Sequence, residues 1–319
     1  MIDFPGKILL FGEYGILLNS KALTVPFYRF SGRFRFADAS MGRSLKTEAM
    51  SRVELGKLLR YLKSGMENCS FLDLEKFGDD LKRGLYFDSS IPHGSGLGSS
   101  GALTAAVYAR YAGTLPTDEF LKTKKNLAFI EACFHGVSSG IDPLTSFYTK
   151  PVLLENATSK FEIADLSLFL EKYSLFLINT HQKGNTGELV SHFMENCQEP
   201  VYRKKIESEY LPLINQTIEA IVSEDFESFE SSMKKYSTFQ LSWFDRMVPK
   251  LLKKHMDYGT KSSDFYIKLC GSGGGGYMLA ITRNRQKAEH YFNSNQLDFS
   301  IVEKNEINNQ VLINNYANI

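Results

Sequence analysis

The sequence predicts an α+β fold in two domains, and three observations carry that reading. At 319 residues the chain is long enough for two domains or one large one. Its first half sets a strand of strict period two, Tyr28 to Phe36, beside runs of helical spacing. Its second half runs strand, long helical stretch, strand, glycine tract, strand, helix, strand. This order implies mixed strand pairing and a domain boundary near Lys172, giving domains 1–172 and 173–319. No internal repeat is present.

The elements follow in order. Ile8 to Phe11 is a short apolar strand closed by Gly12. In Tyr28 to Phe36, Tyr28, Phe30, Phe34 and Phe36 share one face and Arg29, Ser31, Arg33 and Arg35 the other, the mark of a half-exposed strand. Leu55, Leu58, Leu59 and Leu62 make Val53 to Leu62 a helix. Gly84 to Asp88 is a strand that leads into the loop Ile91 to Gly98. A helix opens near Ser99 and ends near Gly113, with small Ala102, Ala105, Ala106, Ala109 and Ala112 suited to close packing on a sheet. Another starts near Thr117, after Pro116, and stops at Gly136. Ser174 to Asn179 is a strand. A helical stretch from Thr186 to Tyr258 is broken near Pro200 and around Ser223 to Asp225. Strands Phe265 to Cys270, Tyr277 to Thr282 and Phe299 to Glu303 follow, with a helix over Asn284 to Asn293. The polar tail from Asn305 to Ile319 reads as an edge element or a loosely held end.

Composition narrows the functional classes. Hydrophobic residues are 43% and charged residues 23%, ordinary for a globular chain. Lys plus Arg is 37 against 36 for Asp plus Glu, a net charge of +1, without the basic excess of a nucleic-acid binder. Cys69, Cys133, Cys197 and Cys270 lie far apart with no C-x-x-C pair, which argues against a zinc site or a disulfide framework and suits a reducing cytosol. The N-terminus lacks a basic n-region, so it does not read as a signal peptide. No apolar run approaches the roughly 18 residues of a membrane span. The expectation is a cytoplasmic protein with a small-molecule substrate, no membrane or nucleic-acid partner, and room for a homodimer.

Chemistry concentrates in a few segments. The loop His93-Gly94-Ser95-Gly96-Leu97-Gly98-Ser99-Ser100 lies between a strand and a helix. Glycines there let backbone N–H groups approach an anion, and the helix N-terminus adds unpaired N–H groups and positive potential. Ser99 and Ser100 add hydroxyls for phosphate or a metal ion. A flexible surface turn is the plain alternative. Gly96 to Gly101 also fits the dinucleotide pattern G-x-G-x-x-G, but the acids at the required distance, Asp118 and Glu119, open a helix and do not end a strand. The P-loop and protein-kinase signatures are absent. The tract Gly271-Ser272-Gly273-Gly274-Gly275-Gly276 joins two apolar strand-like runs, which suggests close approach to a ligand or to another backbone.

Glu131 lies four residues after Leu127 and three before Phe134, on an apolar stripe that begins at Phe120. An inward acid is costly unless it is paired or holds a metal; a boundary position reaching water is the alternative. His135 to Pro143 is turn-rich, with Asp142 before proline. Pro5-Gly6-Lys7 places a lysine at a strand start, followed by Gly12-Glu13-Tyr14.

Together these segments resemble the three signature motifs of the GHMP kinases, the superfamily of galactokinase, homoserine, mevalonate and phosphomevalonate kinases. Pro5-Gly6-Lys7 through Gly12-Glu13 resembles the first motif, His93 to Ser100 the second, and Lys268-Leu269-Cys270-Gly271 through Gly276 the third. They occur in the family's order over nearly the whole chain. The segment His135 to Asp142 is similar to the mevalonate kinase form of the loop that carries the catalytic aspartate.

The resemblance implies an N-terminal domain like the second domain of ribosomal protein S5 and a ferredoxin-like C-terminal domain. It implies ATP and Mg2+ as cofactors and mevalonate as acceptor, with phosphomevalonate, a sugar or homoserine as alternatives and a non-catalytic regulatory homologue as a remote one. Lys7 and Asp142 would form the catalytic pair. Ser100 and Glu131 would hold magnesium. Gly94, Ser95, Gly96, Leu97, Gly98 and Ser99 would wrap the triphosphate, with Gly273, Gly274 and Gly275 closing over it. Glu13 and Tyr14 would face the acceptor, and Thr186 resembles a threonine that approaches the catalytic lysine. The sequence departs from the mevalonate kinase pattern in four places. Tyr14 stands where histidine is common, Val137-Ser138 replaces x-Pro, Pro143 replaces asparagine, and Gly101 replaces alanine.

Overall fold

The chain opens on β1 (Phe4–Phe11), buried along its whole length, and a one-turn 3-10 helix at Gly15–Leu18. The description comes from a computed structural model and covers residues 2–37, 45–65, 67, 69–113, 120–155 and 161–308. Next comes β2 (Ala22–Phe36), longer than the alternating stretch alone predicts because its apolar start, Ala22 to Phe27, is fully buried. Then follow α1 (Leu45–Ser64), α2 (Leu74–Lys82), β3 (Leu85–Ser89), α3 (Ser99–Tyr111), α4 (Phe120–His135) and α5 (Ile141–Tyr148). Two short strands, β4 (Val152–Leu154) and β5 (Phe161–Ile163), and α6 (Ser167–Lys172) close the first half. The start expected at Thr117 lies outside the described residues, as does the tail beyond residue 308.

These strands form one five-stranded sheet. β2 serves two neighbours along its length. Ala22 to Thr24 pair with Leu154 to Val152 of β4, and Gly32 to Phe36 with Ser89 to Leu85 of β3, both antiparallel. β1 neighbours β2 on the side opposite β4, and β5 neighbours β4. The small-residue helix α3 packs against α4 and α5, and Tyr111 at its end meets Phe34 of β2 edge-on.

The second half supplies β6 (Ser174–Asn179), α7 (Thr186–Asn196), α8 (Pro200–Lys205), a π-turn at Ile206–Tyr210, α9 (Leu211–Val222), α10 (Phe226–Trp243) and α11 (Lys250–Ser262). β7 (Tyr266–Leu269), β8 (Tyr277–Thr282), α12 (Arg285–Ser294) and β9 (Phe299–Val302) follow. Pro200 at the first turn of α8 and Asp225 capping α10 through Ser228 N–H mark the breaks expected there. A further break, from Phe244 to Pro249, divides a stretch that reads as continuous in sequence. The sheet order β7-β8-β6-β9, antiparallel throughout, with strand–helix–strand–strand–helix–strand connectivity, is the ferredoxin-like arrangement. Mixed pairing was the expectation; every described ladder with a defined register is antiparallel.

By spatial clustering the chain gathers into two compact units that interleave in sequence. One takes residues 1–7, 27–91 and 98–149, the other 8–26, 92–97 and 150–319. The chain crosses between them within β1, within β2 and within the glycine loop. The first unit is cored by Leu55, Leu58, Phe77, Leu85, Tyr108 and Leu127, the second by Phe11, Phe176, Phe229, Ile267, Leu279 and Phe292. No described helix is long and apolar enough to cross a membrane.

Candidate active site

In the first unit, β1 delivers Lys7 and α5 delivers Asp142. Lys7 Nζ lies 3.0 Å from Asp142 Oδ2, with side chains 3% and 29% exposed. The lysine stem passes over Gly98, the N-cap of α3. A Cβ at Gly98 would lie 2.7 Å from Lys7 Cγ, and its φ of +79° suits glycine. The run His135 to Pro143, turn-rich in sequence, resolves into a turn and a helix start. Gly140 is the N-cap of α5, Asp142 lies in the first turn, and Pro143 follows it. Proline is tolerated there because a first-turn N–H has no intrahelical acceptor. The negative side chain is favoured at that end of the helix.

Glu131 comes from α4 and is only 4% exposed, so the inward orientation holds and the surface alternative fails. Ser100, in the first turn of α3, donates its hydroxyl to Glu131 Oε1 at 3.2 Å, and Ser138 donates to Oε2 in a short contact. Ser138 Oγ in turn accepts the Gly140 N–H at 2.9 Å. Ser100 Oγ also lies 3.0 Å from His135 Nε2. Burial, and then repulsion by Asp142, push the Glu131 carboxyl up to about 7. The two hydroxyls and Lys7 oppose that shift without cancelling it. A buried acid served by hydroxyls but short of positive charge fits a hard divalent cation that takes oxygen ligands. No described group of three or more His, Cys, Asp and Glu side chains is arranged to hold a metal unaided.

In the second unit, the loop His93 to Leu97 lies against the glycine tract. A Cβ at Gly96 would come within 2.3 Å of the Cys270 carbonyl oxygen, which only glycine allows. The Tyr277 N–H donates to Ser95 O at 3.2 Å, and Ser95 Oγ is turned back to Pro92 O at 2.6 Å, so that hydroxyl shapes the loop. Gly274 N–H donates to Met247 O at 2.6 Å and Gly276 N–H to Gln182 O at 2.7 Å. Thr186 Oγ1 lies 3.0 Å from Ser272 Oγ.

Glu13 and Tyr14, expected to face the acceptor, are both buried. The Glu13 carboxylate has no exposed surface: Lys268 Nζ pairs with Oε1 in a short contact and Tyr236 OH donates to Oε2 at 2.6 Å. Burial pushes this carboxyl upward even beside Lys268. Tyr14 is 4% exposed and donates its phenol hydroxyl to Ser272 O at 2.5 Å. Both side chains are bonded inside the unit.

Sequence reasoning gave no role to Ser138, His135, Lys268 or Tyr236. Lys268 carried a usable signal, since a lysine within the apolar run Phe265 to Cys270 demands a buried carboxylate. His135 and Ser138 lie only four and seven residues after Glu131, a local spacing that the sequence offers, whereas Tyr236 is brought to Glu13 from 223 residues away.

Comparison with known proteins gives a consistent result. The family model for the GHMP kinases N terminal domain matches residues 60–150. A mevalonate kinase of Pyrococcus horikoshii is 25% identical over 306 residues, covering 89% of this chain and 88% of that protein. Mevalonate kinase of L. major, solved with R-mevalonate, superposes with a TM-score of 0.65 at 17% identity, covering 94% of this chain and 95% of the other. The phosphomevalonate kinase of Streptococcus pneumoniae, solved with phosphomevalonate and AMPPNP, gives 0.63 at 15% identity, covering 94% and 99%. The two structural likenesses speak for the shared fold, and the sequence adds a GHMP kinase N-terminal domain over residues 60–150 and a nearly full-length similarity to a mevalonate kinase.

Proposed function

We propose that the protein transfers the γ-phosphoryl group of ATP to the hydroxyl of mevalonate. One observation carries the catalytic part: a lysine–aspartate pair, Lys7 with Asp142, open to solvent on the acid side only, built into the unit that also buries Glu131 against Ser100. The relative matched over most of the chain is a mevalonate kinase, which supports that acceptor. The sequence domains 1–172 and 173–319 belong to the same reading.

Phosphoryl transfer asks the protein for positioning and charge neutralisation more than for covalent help. In this reading Asp142 orients the acceptor hydroxyl and takes its proton as the new O–P bond forms and the bond from γ-phosphorus to the bridging oxygen breaks, releasing ADP. Lys7 stands against the developing negative charge. Glu131 and Ser100 are the residues that would hold magnesium, which when bound neutralises phosphate charge. Gly94 to Ser99 offer backbone N–H groups to the triphosphate, and Gly273 to Gly275 close the loop's other side. A coupled ADP-release assay over mevalonate, phosphomevalonate, homoserine and galactose tests the proposal. Mevalonate should give the highest kcat/KM. A value at least tenfold higher for phosphomevalonate, about 1.4 kcal/mol of transition-state discrimination, would reassign the acceptor.

A further inference from the structure

The first-motif residues Glu13 and Tyr14 both reach the third motif, on either side of Gly271 at the start of its glycine tract. Glu13 holds Lys268, three residues before Gly271. Tyr14 holds Ser272, the residue after it. We propose that Tyr14 is a positioning residue for the glycine tract, which fixes the backbone offered to the nucleotide phosphates and takes no part in recognising the acceptor. The role rests on the kinase reading given above.

Several independent features lead there. Tyr14 sits at φ 59°, ψ −38°, a backbone region that costs a non-glycine residue energy and persists only where the surroundings impose it. This conformation turns the ring inward, where it packs on Phe193 at 4.7 Å and Phe244 at 5.4 Å between centroids. The ring leaves the hydroxyl aimed at one acceptor, the Ser272 carbonyl. Ser272 is held from its other side as well, because its hydroxyl meets Thr186 Oγ1 at the first turn of α7. Two residues on, a Cβ at Gly274 would come within 2.6 Å of Leu189 of the same helix. The tract is therefore pinned at Ser272 between the end of the first motif and α7. Tyrosine is the residue with the reach to do this.

The test uses the full-length protein and the Tyr14→Phe variant, which keeps the ring packing and removes the hydroxyl. Amide hydrogen exchange at Gly274 and Gly276, both bonded in the native tract, should quicken at least fivefold in the variant, with exchange in β6 and β8 unchanged. The Kd for magnesium–AMPPNP and the KM for ATP should rise together by about five- to tenfold, with the acceptor KM within twofold of wild type. Unchanged exchange at the tract overturns the proposal. So does faster exchange with an unchanged nucleotide Kd, and so does a raised acceptor KM at constant nucleotide affinity, which would make Tyr14 a substrate contact. A lower melting temperature with all binding constants intact would reduce Tyr14 to a packing residue. If wild-type protein binds no magnesium–AMPPNP, the kinase reading itself falls and the role falls with it, while the exchange data still report whether the tract is latched.

Discussion

Replacing Glu131 by glutamine should make the metal-free protein more stable above neutral pH and blind it to magnesium. In the fold this carboxyl is raised from its ordinary value of 4.5 to about 7, chiefly by burial. A carboxyl whose folded pKa exceeds its unfolded one contributes stability that is fully present below about 4.5 and lost as pH rises through about 7. At 1.36 kcal/mol per pH unit, ionising it in the folded protein costs about 3 kcal/mol by pH 8. The side chain is almost fully buried, so solvent screening removes little of that. Glutamine keeps the shape and can still bond to the Ser100 and Ser138 hydroxyls, but it never ionises. Glu131→Gln should therefore match wild type near pH 4.5 and exceed it by about 3 kcal/mol at pH 8, roughly 5 °C in melting temperature for a chain of this size. The assay is thermal and urea unfolding from pH 4.5 to 8.5 in EDTA, repeated with magnesium and AMPPNP. Cation and nucleotide should stabilise wild type strongly and the variant weakly, while turnover by the variant falls. Parallel pH curves for the two proteins would refute the buried-acid argument. Equal stabilisation by magnesium–nucleotide would refute the metal assignment.

Three further outcomes are expected. Asp142→Asn keeps the size of the side chain but cannot accept a proton, so kcat should drop at least ~10²-fold with nucleotide Kd changed less than ~5-fold; a near-wild-type kcat would end its catalytic assignment. Gly101→Ala places a Cβ 3.0 Å from the Asp142 carbonyl carbon and 3.1 Å from its Cβ, so the aspartate must shift by a few tenths of an ångström. Since a displacement of about 1 Å can cost ~10²-fold in rate, kcat should fall by roughly 3- to 10-fold with unchanged nucleotide Kd, and unaltered kinetics would show that α5 yields freely. Glu13→Gln leaves Lys268 buried without its counter-charge and should destabilise by about 3–5 kcal/mol in urea melts; adding Lys268→Met to the same protein should restore much of that, and a double variant no better than the single one would contradict the pairing.

The fold was most legible where residues repeat with a clear period between strong punctuation. Ser174–Asn179 and Tyr277–Thr282 were readable to the residue, because apolar runs there end at polar or glycine positions. What stayed hidden was short or contradictory. The three-residue strands β4 and β5 span too little chain to show a period. The helix α5 is masked by Asp142-Pro143, since a residue before proline usually avoids helical dihedrals. The amphipathic α2 has Asp80 on its buried face, and that acid is acceptable because Arg110 and the Tyr111 hydroxyl reach it from α3, at 2.6 and 3.0 Å, and Arg83 pairs with it at 3.1 Å. The site followed the same rule. Glycine-rich loops and an acid on an apolar face announce themselves, whereas the inward turn of Glu13 and Tyr14 depends on partners more than 170 residues away in sequence.

Among the described lysine–carboxylate pairs two have a buried lysine, and the burial of the acid separates them. Glu13–Lys268 is closed on both sides: neither side chain has exposed surface, Tyr236 occupies the second carboxylate oxygen, and Lys268 Nζ also reaches the carbonyls of Leu9 and Leu269. Such a pair has no exposed surface to offer a ligand, and breaking it is expensive, so its role is to fix structure. Lys7–Asp142 is closed on the lysine side alone, 3% against 29% exposed. The buried cation holds the acid in place while part of the carboxylate still faces solvent, where a hydroxyl could approach. Beside it, Glu131 is buried with hydroxyl donors and too little positive charge to keep its pKa ordinary. Perturbed carboxyls of this kind cluster at functional sites. The open pair and the under-compensated acid lie in the same unit, which is the arrangement that chemistry on a negatively charged phosphate requires.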